Sequence, residues 1–190
     1  MSRELQSTNR VMLLVFLFTG YLAIFAQSKF TWFRDLTGAQ IDLLPGMIVY
    51  AAMAFHLGTV MLCAAVFGLL IDSCSMNALG TSFVTLAIIG SVCSKYRELL
   101  LSEHFTTHWV LGLIASGMAP ILSYGLLRLL DLHPLVGWGS AWHWAIMTAG
   151  GGALTPLWFR VFNRLDDSLR YKELPESTFR QDRQIARGRH

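Results

Sequence analysis

Apolar residues in this chain come in continuous blocks, with neither the alternation of a half-buried strand nor the narrow stripe of a surface helix. The first block runs from about Val11 to Ala26. A polar stretch, "SKFTWFRDLTGAQID", separates it from a second block, Leu43 to Ile71. As one helix of about 30 residues, that second block would be ~45 Å long. A bilayer core is only ~30 Å thick, so a single helix would need an extreme tilt. The polar and flexible centre "AFHLGT", with His56, Gly58 and Thr59, predicts a break into two short helices. A fourth helix is expected from near Leu79, after the turn-prone "SMNALG", to Ser94. A fifth covers about Trp109 to Leu129 and is expected to bend at Pro120, which removes a backbone donor. A sixth starts among Trp138, Trp142 and Trp144 and ends near Phe162.

Composition strengthens this picture. Apolar residues make up 54% of the 190, charged residues only 14%, and the mean hydropathy is +0.48. A soluble domain of this size carries more polar surface. Continuous blocks near 20 residues read as membrane-spanning helices, since lipid-exposed backbone must be hydrogen-bonded within its own segment. The predicted fold class is therefore all-α, a polytopic transmembrane bundle of about six short helices over residues 1–164. A basic cytoplasmic tail, 165–190, holds too few apolar residues to build a core and is expected to be disordered beyond a short helical start. The first block resembles a signal sequence, but Ile24 spoils a small-x-small cleavage pattern at Ala26, so a retained span is expected.

Charge orients the bundle. The net charge of +3 resides entirely in Arg160–His190, which reads as a cytoplasmic flank and not as a nucleic-acid surface. Six spans with the N-terminus inside place twelve Lys and Arg in the cytoplasm and three outside. Five spans with the N-terminus outside give the same ratio, because Arg3 and Arg10 exchange with Lys29 and Arg34. From Asp72 onward both solutions agree: "DSCSMNALG" faces out, while "KYRELL" and the tail face in.

Candidate chemistry is sparse. Asp72 is the only charged residue between Leu43 and Ser94. Three roles are open to it: a helix-end carboxylate accepting backbone N–H bonds or capping the next helix, a holder of an outer loop that touches a partner, or a proton or ion site with His143 or Arg128. Gly58, Ala65 and Gly68 fall near one helix face, where small side chains let another helix approach in lipid. Packing within the bundle itself explains that face equally. Gly150, Gly151 and Gly152 before Pro156 predict either close packing or a distorted helix. Cys63, Cys74 and Cys93 lack metal-ligand spacing, and His104 with His108 forms a two-point face with no third ligand nearby. Trp32 and the later tryptophans suit the membrane interface. Gly-x-Ser-x-Gly, His-Glu-x-x-His and phosphate-cradling loops are missing from the sequence, so no catalytic, metal or cofactor set is assigned.

Several of these features occur together in a known pattern. The Asp-x-x-Pro entry "DLLPG", the core "GLLIDSCSMNALG", the helix "TSFVTLAIIGSV" and the closing "LTPLWFRVFNRL" resemble the rod shape-determining protein MreD family over about half of the chain. Gly68, Asp72, Leu79, Gly80 and Pro156 match that family's pattern. The resemblance implies six kinked helices, similar to the substrate-capture subunits of energy-coupling transporters, with the N-terminus inside. It also implies a non-catalytic scaffold in the bacterial inner membrane that docks an MreC-like single-span protein. Through that partner it would support peptidoglycan synthesis alongside MreB, RodA and a class-B penicillin-binding protein. The alternative reading, a small-molecule capture subunit of a transporter, requires an outward pocket where several polar groups converge.

Overall fold

Six helices among the described residues satisfy the apolar blocks. The computed structural model describes residues 2–29, 38–75, 78–97, 105–131 and 137–171. The helices are α1 (Ser2–Lys29), α2 (Leu44–Ala54), α3 (Leu57–Cys74), α4 (Thr81–Lys95), α5 (Phe105–Leu129) and α6 (Trp138–Tyr171). Strand is absent among the described residues.

The long apolar block divides inside its polar centre "AFHLGT", at Phe55–His56, but into unequal helices. Phe55 is extended at φ −116° and His56 at φ −71°, ψ 153°, while Gly58 already lies in the first turn of α3. The extended pair interrupts the ladder, and the N–H groups of Thr59 and Val60 both turn to the His56 carbonyl to start α3. The resulting α2 has 11 residues and α3 has 18. Three helices are long and apolar enough to cross a membrane: residues 10–29 of α1, all of α3, and residues 106–129 of α5. The two shorter apolar helices are α2 and α4. Short length is tolerable in α2 because its residues from Leu44 to Ala52 are all buried in protein, so protein and not lipid sets its surroundings. α6 runs on to Tyr171, beyond the bundle end expected at 164.

Packing falls into three tiers. At the base, Phe16 meets Tyr50, Phe67 and Phe162 at ring-centroid distances of 6.0, 5.7 and 5.0 Å. Such offset and tilted ring pairs tie α1, α2, α3 and α6 together. Above it lies a waist of small residues. A methyl group on Gly46 or Gly112 would collide with Thr155, and one on Gly151 with Ser116. α2, α5 and α6 therefore cross at backbone contact, the packing that drives helix association where water exclusion is weak. Gly150–Gly152 thus pack closely in a continuous helix, which removes the need for a distorted segment. Thr155 is fully buried and donates its hydroxyl to the Gly151 carbonyl at 2.8 Å. The third tier is a cavity at the other end of the bundle.

Residues at the ends of α1, α3 and α5 and at or near the starts of α2, α4 and α6 line that cavity. Successive helices therefore alternate in direction.

Candidate functional site

Asp72 is 2% exposed at the end of α3, and its carboxylate faces the start of α4. One oxygen accepts the Gly80 N–H at 2.8 Å, and both oxygens accept the Ser82 N–H, at 3.2 and 3.3 Å. The first N–H groups of a helix have no partner within it, and no side chain of α4's own cap residue serves them. Asp72 therefore caps α4 from the preceding helix. Gly80 holds φ +95°, a left-handed conformation that suits glycine and turns the chain into α4. A Cβ on Gly68 would strike the backbone of Phe83, so α3 and α4 are in contact one helical turn below the carboxylate.

The remaining small-residue candidates separate. Gly58 is exposed with nothing within 4 Å of an added Cβ, Ala65 is partly buried, and Gly68 is buried against α4. The predicted common face therefore divides, with Gly68 used internally and Gly58 left open. Pro156 is buried inside α6 without ending it. Leu79, beside Gly80, is 74% exposed.

The cavity was not legible in the sequence. It measures about 520 Å3, within the usual range for small-molecule sites. Asp42 stands in its wall and accepts the Leu44 N–H at 3.0 Å, fixing the entry to α2 ahead of Pro45. The Gln27 side chain donates to Asp42, and the Gln40 amide donates to the Gln27 carbonyl at 2.9 Å. Burial raises the Asp42 carboxyl above its ordinary value, against the lowering effect of the Leu44 N–H and the Gln27 side chain. Across the cavity, Thr85 and Ser123 share a hydrogen bond of 3.2 Å. At the rim Arg128 donates to the Tyr124 hydroxyl at 3.2 Å. Two lining residues hold buried atoms with no hydrogen-bond partner, Ser116 Oγ and Gln27 Oε1. Leu44, Ile71, Leu86 and Met147 supply apolar wall. The nearest hint in sequence was the pair Ser116 and Ser123, seven residues apart on one face of α5 and separated by Pro120.

Other candidates have packing roles. The His108 ring stacks on Phe159 at 4.0 Å, while His104 and Trp32 lie outside the described residues. Trp138 is 94% exposed, as an interfacial residue would be, but Trp144 donates its indole N–H to the Gly117 carbonyl at 2.9 Å beside Pro120. No group of three metal-ligating side chains occurs among the described residues.

Alternating apolar helices, three of them long enough to cross a bilayer, define the class as a polytopic helical bundle of membrane-protein type. No family model, curated protein or solved structure matches the chain.

Proposed function

We propose that this chain is a non-catalytic membrane scaffold of a bacterial cell-elongation complex, docking an MreC-like single-span protein at its outer end. One observation carries the reading. A buried carboxylate, costly to place in a bundle, shapes the short turn that presents Leu79 to the outside. Asp72, Leu79 and Gly80 of the MreD-like core meet at that turn, and Gly68 lies one helical turn below it. Gly58 offers a second open position on α3, where a partner helix can approach closely. In this reading both termini are cytoplasmic, and MreB, RodA and a class-B penicillin-binding protein join through the partner.

The test is photocrosslinking from positions 58, 65 and 79 in membranes that contain the MreC-like protein. Adducts from 79 and 58 are expected, with the adduct from 58 lost on Leu79→Asp and the melting temperature unchanged. Adducts to lipid alone at all three positions would refute the docking role. The cavity favours a second reading, a capture subunit of a transporter, because it supplies the converging polar groups which that reading requires. Uptake of a solute dependent on this chain and on a coupling ATPase is its distinguishing result.

A further inference from the structure

We propose that the cavity between the upper ends of the six helices is a binding site for a small organic molecule carrying a cationic or neutral N–H donor group on an apolar body. The site rests on neither functional reading, since a scaffold and a capture subunit can both hold such a ligand.

The chemistry follows from the walls. Among the described residues, Asp42 is the only acidic side chain that lines the cavity and no Lys, Arg or His lines it, Arg128 standing at the rim on Tyr124. An anion would therefore meet a carboxylate with no counter-charge, whereas an ammonium or amidinium would meet one that accepts charge-assisted bonds. Asp42 is held in place on both sides, by the Leu44 N–H and by the Gln27 amide, so its position is set before a ligand arrives. Gln27 Oε1 is a second acceptor in want of a donor, beside that carboxylate. Ser116 is 2% exposed in the floor, and its partnerless hydroxyl reaches the cavity by rotation about one bond. Buried polar atoms left unpaired cost stability, and a ligand that pairs them recovers it. The apolar wall opposite, with Ile71, Leu86 and Met147, suits a ring or chain and not a fully hydrated ion.

The geometry also separates this site from the waist and base. Ser116 marks the floor, and one helical turn below it Gly112, with Gly46 from α2, lies against the Thr155 side chain. Loop charges predict that the cavity end faces outside the membrane.

A matched series tests the proposal on the full-length protein in detergent: 2-naphthamidine, 2-naphthamide and 2-naphthoate, read by melting temperature and by protection of the exposed Cys74, which lines the cavity, from maleimide. The amidine is expected to raise the melting temperature and protect Cys74, half-saturating at roughly millimolar concentration for a ligand of this size. The amide should act more weakly and the acid not at all. Asp42→Asn should weaken the amidine about tenfold while leaving the amide nearly unchanged, as expected for loss of one charge-assisted contact. An equal response to all three, a preference for the acid, or no response to any overturns the proposal. An amine lipid headgroup carries the same chemistry. Repeating the titration in phosphatidylethanolamine and phosphatidylcholine nanodiscs separates the sources: competition only in the former identifies the lipid, and equal binding in both identifies a free solute. Because partner crosslinking at Leu79 does not depend on the probe, failure here leaves the docking reading standing.

Discussion

At the residue scale, two aspartates perform opposite tasks. Asp72, itself buried, satisfies backbone donors at the start of α4 that the helix cannot pair internally. Asp72→Ala should cost about 1–2 kcal/mol, the usual value of a lost helix cap, while Asp72→Asn keeps one accepting oxygen and should cost less. Thermal unfolding in detergent would measure both. Asp42 carries a carboxyl raised by burial, so the folded state binds its proton more tightly than the unfolded chain does. The sign follows from linkage: its charge costs stability above the raised value, and the penalty fades as pH falls towards the ordinary carboxylate range. Asp42→Asn, which retains an acceptor for the Leu44 N–H, should raise the melting temperature at pH 7 and make no difference near pH 3.5. A constant difference at both pH values would show that burial of the charge is not the cause. Sequence alone placed Asp72 at a helix end and left three roles open, because the cap spans eight residues and a turn whose geometry no local pattern encodes. Asp42 attracted notice only as part of the Asp-x-x-Pro entry, since its surroundings depend on α1 and α6, which bring Gln27 and Gly151 against it.

At the element scale, the glycines divide by what faces them. Gly112 lies against Thr155 in the waist, so Gly112→Leu should destabilise the bundle by about 1–3 kcal/mol or more through overpacking. Gly58 has open space around it, and Gly58→Ala should be neutral or stabilising by up to about 1 kcal/mol, from helix propensity. Both measurements use the isolated protein, where no partner helix covers α3. Spacing had grouped Gly58 with Gly68, but a face is functional only relative to its neighbour, and α4 covers just one of the two. The break in the long apolar block was legible from length against bilayer thickness. Its position at Phe55–His56 was legible too, from the polar centre "AFHLGT"; that α2 could stay at 11 residues was not, because its burial is supplied by other helices.

At the scale of the whole molecule, alternating helix direction puts the ends of α1, α3 and α5 together with Cys74 at the cavity end. Cys63 and Cys93 are buried, and Cys74 is exposed. In right-side-out spheroplasts an impermeant maleimide should label Cys74, and Cys74→Ser should abolish the signal. Labelling only after permeabilisation would invert the assigned orientation. Continuous apolar blocks determined by themselves that the chain is helical, because backbone hydrogen bonding in an apolar medium leaves few alternatives, and their breaks predicted the six helices found among the described residues. Loop charges settled the expected side for everything after Asp72. Tertiary structure alone decided which glycines touch, which helices may be short, and where a cavity remains. Those outcomes depend on contacts between residues far apart in the chain, and Asp42, Gln27 and Ser116 share a site only after three separate helices have packed.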